Sequence, residues 1–161
     1  MSGHRAWIGL GSNLHHPRCQ VEQAIEALDR LPLTRRLLAS RLYIGPPLGP
    51  RDQPDFVNAV ASVETDLSPL ALLDQLQAME QRHGRIRHRH WGPRTLDLDL
   101  LLFDDLTLAH PRLTLPHPGM AYRAFVLIPM VDIAPELRLP DGLRIAELAG
   151  ELTDGRLEAL A

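Results

Sequence analysis

Polar and apolar residues alternate along four stretches of this chain, and along two others the apolar residues recur at helical spacing. Ala6, Ile8 and Leu10 set one face of a first predicted strand, while Gly9 and Gly11 leave the opposite face without side chains. Pro17 suits the first turn of a helix whose stripe, Val21, Ala24, Ile25, Leu28 and Leu31, runs up to Pro32. Residues 37–44 read as a second strand closed by Pro46 and Pro47, and the Gly- and Pro-rich residues 45–54 as a long loop. A third strand over residues 55–65 places Val57, Ala59, Ala61 and Val63 on one face and Phe56, Asn58, Val60 and Ser62 on the other. Ser68 and Pro69 open a second helix as cap and first residue; Leu72, Leu73, Leu76 and Met79 form its stripe and Gly84 ends it. In the fourth strand Leu96, Leu98, Leu100 and Leu102 alternate with Asp97 and Asp99. Beyond Asp104, Pro111, Pro116, Pro118, Pro129, Pro135 and Pro140 cut the chain into short pieces, and residues 125–133 fit a helix or a strand equally well.

Strand, helix, strand, strand, helix, strand is the order of an α+β, ferredoxin-like βαββαβ sandwich, here with a short C-terminal extension of helices and strands. Its helices cover one sheet face, where the apolar sets meet them, and leave the other free. Parity then gathers Gly9, Gly11, Phe56, Asn58, Asp97 and Asp99 on the free face. Two bare glycines, an aromatic ring, an amide and two carboxylates suit a binding floor better than an open surface. Two anions buried in a sheet without partners are costly, so a metal ion, an arginine or both must lie over Asp97 and Asp99.

Length and composition agree with one domain over residues 1–161: 45% hydrophobic residues, 23% charged, a formal net charge of −3. No run approaches a membrane span and the start lacks the apolar segment of a signal peptide, so neither membrane nor export is expected. The single cysteine, Cys19, cannot form an internal disulfide, which favours a cytoplasmic setting. All 17 Lys+Arg residues are arginine. A P-loop needs its lysine, so a Walker-type site is excluded and phosphate must be held by arginine, backbone N–H groups or metal.

An Asp-x-Asp on a strand puts two carboxylates about 6–7 Å apart, a separation compatible with two Mg²⁺ ions about 3.5–4 Å apart bridged by phosphates. Aspartates neutralised by arginine are the alternative. Arg82, Arg85, Arg87, Arg89 and Arg94, with His83, His88 and His90 between them, form an arginine-rich loop suited to bidentate phosphate contact. A nucleic-acid patch fits poorly with the acidic balance and few aromatics, and no third ligand at zinc spacing joins His88 and His90. The glycines at 9 and 11 lack the third glycine and following acid of a Rossmann fingerprint. Phe56 is placed to stack on a flat heterocycle, with Asn58 supplying donor and acceptor to its edge.

Together these blocks, above all Trp91-Gly92-Pro93-Arg94-Thr95-Leu96-Asp97-Leu98-Asp99, with Pro46-Pro47-Leu48-Gly49-Pro50, Phe56-Val57-Asn58-Ala59, Leu115-Pro116-His117-Pro118 and Arg123-Ala124-Phe125, resemble the pterin pyrophosphokinase family. The resemblance implies an ATP-dependent enzyme of folate biosynthesis that moves pyrophosphate from ATP to 6-hydroxymethyl-7,8-dihydropterin and releases AMP. It implies Asp97 and Asp99 as ligands of two Mg²⁺ ions, and Arg85 and Arg94 beside them as catalytic. Gln77, Glu80, Arg87, Trp91, Arg94, Arg112, Thr114, His117 and Arg123 match ATP-side positions. Phe56 and Phe125 would sandwich the pterin, with Asn58, Gly45, Pro46 and Leu48 reading its polar edge. Residues 45–53 and 84–93 match lids that close over both substrates. Phe56 stands where a tyrosine is common and keeps the stacking face; His90 and Pro118 depart from the usual Arg and Tyr. A monomer without a nucleic-acid partner is expected. The rival readings are a Mg²⁺-dependent phosphohydrolase and a non-catalytic phosphate- or RNA-binding module on the same fold.

Overall fold

The computed structural model describes residues 3–47, 52–83, 95–152 and 157–160. The architecture is α+β, and the described residues form one six-stranded antiparallel sheet, a two-stranded hairpin and four helices. In chain order these are β1 (His4–Ser12), α1 (Pro17–Leu28), β2 (Thr34–Ala39), β3 (Tyr43–Gly45), β4 (Phe56–Thr65), α2 (Pro69–Arg82) and β5 (Asp97–Phe103). The hairpin β6 (Leu108–His110) and β7 (Leu113–Leu115) follows, then a 3-10 turn (Met120–Tyr122), α3 (Ala124–Ile133), α4 (Ile145–Glu151) and β8 (Glu158–Ala159). The large sheet runs β5-β1-β4-β3-β8, with β2 on the far half of β4. No helix among the described residues is long and apolar enough to cross a membrane.

The predicted stripes form the first core. Ala6, Ile8 and Leu10, Val57, Ala59, Ala61 and Val63 pack against Val21, Ala24, Ile25, Leu28 and Leu31 and against Leu72, Leu73, Leu76 and Met79. The second helix starts as its sequence requires: the Ser68 Oγ accepts from the Ala71 N–H at 3.2 Å, with Pro69 next. Burial of these side chains, about 1.5–3 kcal/mol apiece, holds α1 and α2 to one face of the sheet.

Three expectations are corrected. The strand predicted over residues 37–44 is two, β2 and β3, separated at residues 40–42. The Ser40 N–H still donates to the Val60 carbonyl and the Ser40 Oγ accepts from the Val60 N–H, but Ala39 faces Ala61 while Tyr43 faces Asn58, so one extra residue lies on this edge. Next, the alternation in β5 breaks after Leu100. A register shift opposite Trp7 and Ile8 pairs Ile8 with Leu100 but Trp7 with Leu102, and this sends both Leu101 and Leu102 to the second face. Finally, that second face is only half free. Trp7, Val60, Leu101 and Leu102 make a second core with Met120, Val126, Leu127, Met130, Leu139 and Ile145, so the C-terminal helices roof one end of the sheet. Residues 125–133 are helical despite Pro129 and bury apolar side chains on most sides.

Candidate active site

The unroofed end of the second face is built by strand register. Gly11 of β1 pairs with Asn58 on one side and Asp97 on the other, and Asn58 pairs with Tyr43, so Asp97, Gly11, Asn58 and Tyr43 form one row across four strands. Gly9 pairs with Asp99 and with Val60 in the next row on the same face. Both carboxylates therefore share one face and are only partly buried, whereas Leu98 between them is buried on the other. At the end of β4, Phe56 pairs with Gly45, one residue before Pro46.

The two glycines differ. A Cβ on Gly11 would come within 2.7 Å of the Asn58 Oδ1 and 3.5 Å of the Phe56 ring, so the bare backbone there is what admits the amide. On Gly9 it would only touch Leu101 at 3.5 Å, an ordinary contact, so this glycine does not bare a floor as parity alone suggests. Asn58 is 6% exposed, and its side-chain amide makes no hydrogen bond to another described residue. Its donors and acceptors are thus open to a ligand on this face.

Glu80, almost fully buried, points from α2 at the sheet's edge, where its Oε2 accepts from the Leu98 N–H at 2.8 Å. This carboxylate pairs an edge-strand donor between the two aspartates and steadies their backbone. Gln77 and Glu80, three residues apart on α2, differ in setting. Gln77 is exposed, and its Oε1 accepts from Arg112 at 3.3 Å, with Asp74 pairing the same guanidinium at 2.5 Å. Asp74 was not foreseen; an acid one turn before Gln77 on the same helix was its only signal. Thr114 is exposed beside Arg112 on the hairpin.

His117 brings the hairpin side to the sheet. Its backbone N–H donates to the Leu101 carbonyl at 2.9 Å, its Nδ1 accepts from the Gly119 N–H at 3.1 Å, and its Nε2 lies 3.8 Å from the Asp99 carboxylate. Burial and then Arg123 hold this imidazole below its ordinary range, with Asp97 pulling the other way. Arg123 caps α3, rests on Gly119 where any Cβ would collide with it, and sits 5.7 Å from the Phe125 ring centroid. Pro46, Pro47, Tyr122, Arg123, Ala124, Phe125 and Leu157 line one cleft. The structure thus groups Asp97, Asp99, Asn58 and Phe56 by register, His117 with Asp99, Arg123 with Phe125 and Pro46, and Gln77 with Arg112. Leu48, Arg85, Arg87, Trp91 and Arg94 lie outside the described residues.

The chain is similar to known proteins over most of its length. The model of the family 7,8-dihydro-6-hydroxymethylpterin-pyrophosphokinase (HPPK) matches residues 7–135. The chain is 57% identical over 144 residues to the 2-amino-4-hydroxy-6-hydroxymethyldihydropteridine pyrophosphokinase of Pseudomonas aeruginosa, covering 89% of each chain. It is 48% identical over 152 residues to the protein of the same name from Haemophilus influenzae, covering 94% of this chain and 95% of that one. The crystal structure of Plasmodium falciparum HPPK-DHPS with pteroate superposes with a TM-score of 0.74 at 15% identity over 93% of this chain. This chain spans only 41% of that longer protein, and the likeness bears on fold alone. Matched by the family model over most of its length and by relatives at about half identity, the chain belongs to the 7,8-dihydro-6-hydroxymethylpterin-pyrophosphokinase family.

Proposed function

We propose that the protein transfers the pyrophosphoryl group of ATP to the hydroxymethyl oxygen of 6-hydroxymethyl-7,8-dihydropterin, with release of AMP, in folate biosynthesis. The observation that carries this reading is the row Asp97, Gly11, Asn58, in which a carboxylate suited to metal and an amide suited to a heterocycle's edge flank one bare strand position. Phe56, at the same end of β4, and Phe125, on α3, supply the two stacking faces, and Gly45, Pro46 and Leu48 the backbone that completes the polar edge. Gln77, Glu80, Arg87, Trp91, Arg112, Thr114, His117 and Arg123 form the nucleotide side, and Arg85 and Arg94 oppose the charge on the transferred group. The strand order β5-β1-β4-β3 and the packing of α1 and α2 on one face support a ferredoxin-like βαββαβ sandwich with a C-terminal extension. The proposal takes it as a single domain over residues 1–161, a cytoplasmic monomer without nucleic-acid partners.

The donor set fits magnesium. Asp97 and Asp99 offer hard oxygen ligands from partly exposed positions on one sheet face, a set that phosphate oxygens and water would complete around magnesium. Two bound ions would neutralise the triphosphate and the charge that develops in transfer. The residues of the chain do the positioning. Asn58 and the two rings fix the pterin so that its hydroxymethyl oxygen faces the β-phosphorus in line with the leaving AMP oxygen. The new O–P bond forms as the bond to the α,β-bridging oxygen breaks, and the hydroxymethyl proton passes to Asp97 or to solvent.

Incubation with ATP, Mg²⁺ and the reduced hydroxymethylpterin tests the proposal. AMP should appear only when the pterin is present, and Asp97→Ala should abolish turnover while circular dichroism stays unchanged. Phosphate or pyrophosphate released without the pterin would point to a hydrolase instead, and undiminished turnover by the variant would remove the metal assignment.

A further inference from the structure

Tyr43 occupies the fourth place in the row of Asp97, Gly11 and Asn58, and it is 4% exposed. Its hydroxyl donates to the Asp132 carboxylate near the end of α3. Arg41 completes the group: its NH2 donates to the Tyr43 hydroxyl at 3.1 Å, its Nε to Asp132 at 3.4 Å, and its guanidinium lies 5.6 Å from the tyrosine ring centroid. Asp132 stands seven residues after Phe125. Seven residues are nearly two turns, so both side chains leave α3 along one stripe. A bond at Asp132 therefore fixes the rotation of the helix that aims Phe125, and it does so from the strand next to Phe56 and Asn58.

We propose that Tyr43 and Asp132, braced by Arg41, are positioning residues: a clamp that ties α3 to β3 and sets the gap between Phe56 and Phe125 before the pterin arrives. The inference rests on the pterin site proposed above. Without the clamp, the cost of seating α3 falls on the binding step, and so on the pterin alone. Asp97 and Asp99 do not depend on α3 turning, and of the described nucleotide-side residues only Arg123, at the start of α3, moves with it.

The AMP-release assay on the full chain tests this with four variants. Tyr43→Phe keeps the buried ring and removes only the hydroxyl. It should raise the KM for the pterin about tenfold, the scale of one charge-assisted hydrogen bond, with kcat within about twofold and the KM for ATP raised clearly less than that for the pterin. Asp132→Ala should do the same, and Asp132→Asn, which keeps an acceptor, should recover most of the loss. Phe125→Ala reports on the site itself. If it raises the pterin KM while Tyr43→Phe does not, the clamp is refuted and the site stands. If Tyr43→Phe raises both KM values alike, or only lowers the melting temperature, the tyrosine merely stabilises the fold and the positioning role is refuted. An unchanged pterin KM in Phe125→Ala overturns the pterin sandwich, and the clamp falls with it.

Discussion

Adding one methyl group at Gly11 should damage pterin recognition without damaging the protein. The new Cβ would sit 2.7 Å from the Asn58 Oδ1, well inside contact distance, and 3.5 Å from the Phe56 ring. The atom struck is the far end of a short side chain, so Asn58 can rotate away and the strands need not move. The stability loss at this buried position should therefore be about 1 kcal/mol, the centre of the range for single substitutions. The displaced amide no longer meets the pterin's edge. Leaving polar groups of the site and ligand mismatched costs about 1–3 kcal/mol, which corresponds to a rise of roughly 5- to 150-fold in the pterin KM. Gly9→Ala is the matched control, because its Cβ would only touch Leu101 at 3.5 Å, and it should leave both KM values within about twofold. Steady-state AMP release at varied pterin and fixed saturating ATP reads the difference. An unchanged pterin KM in Gly11→Ala, with the variant folded, would show that Asn58 does not read the pterin.

Glu80→Ala strands the Leu98 N–H on the edge of the sheet, so urea unfolding should show a loss of about 1–3 kcal/mol, with Glu80→Gln losing clearly less; equal losses would deny the hydrogen bond its role. Acid should weaken the fold through His83, which burial, and secondarily Arg82, holds below the ordinary imidazole range while its Nδ1 sits 2.6 Å from the Gln20 Oε1. The unfolded chain protonates this ring near pH 6.5 and the folded chain only at lower pH, so this contribution is whole above about 6.5 and is lost as the pH falls. Urea unfolding between pH 8 and 5 should show a shallower acid loss for His83→Asn than for the parent; parallel curves would exclude the ring as a source.

Much of the site was legible because period-two alternation is a strict rule while it lasts. Asp97, Asp99, Gly11, Phe56 and Asn58 fall on one face by counting alone, and the register places them there. Counting failed where pairing partners intervene. The bulge opposite Trp7 and Ile8 leaves no trace in Leu100-Leu101-Leu102, since three leucines satisfy either phase. The run from Ala124 to Ile133 is apolar almost all round, so it carries no moment to mark it as a helix, and only packing on the sheet decides it. Glu80 looks like a surface charge on an amphipathic helix, and its burial follows from how α2 crosses β5. Tyr43 was reachable: it lies directly across from Asn58, and parity carried one strand further would have found it.

The shifted register in β5 lets one edge strand serve two trades. Its first half turns acids toward water and its second half turns leucines toward the C-terminal helices, on the same side of the sheet. The roof is thus indexed to the carboxylates through a few ångströms of continuous backbone. Later stretches of the chain are free to lengthen or drift in sequence, so long as whatever folds there finds the seat made by Leu101 and Leu102, and it will arrive at the same distance from Asp99 each time.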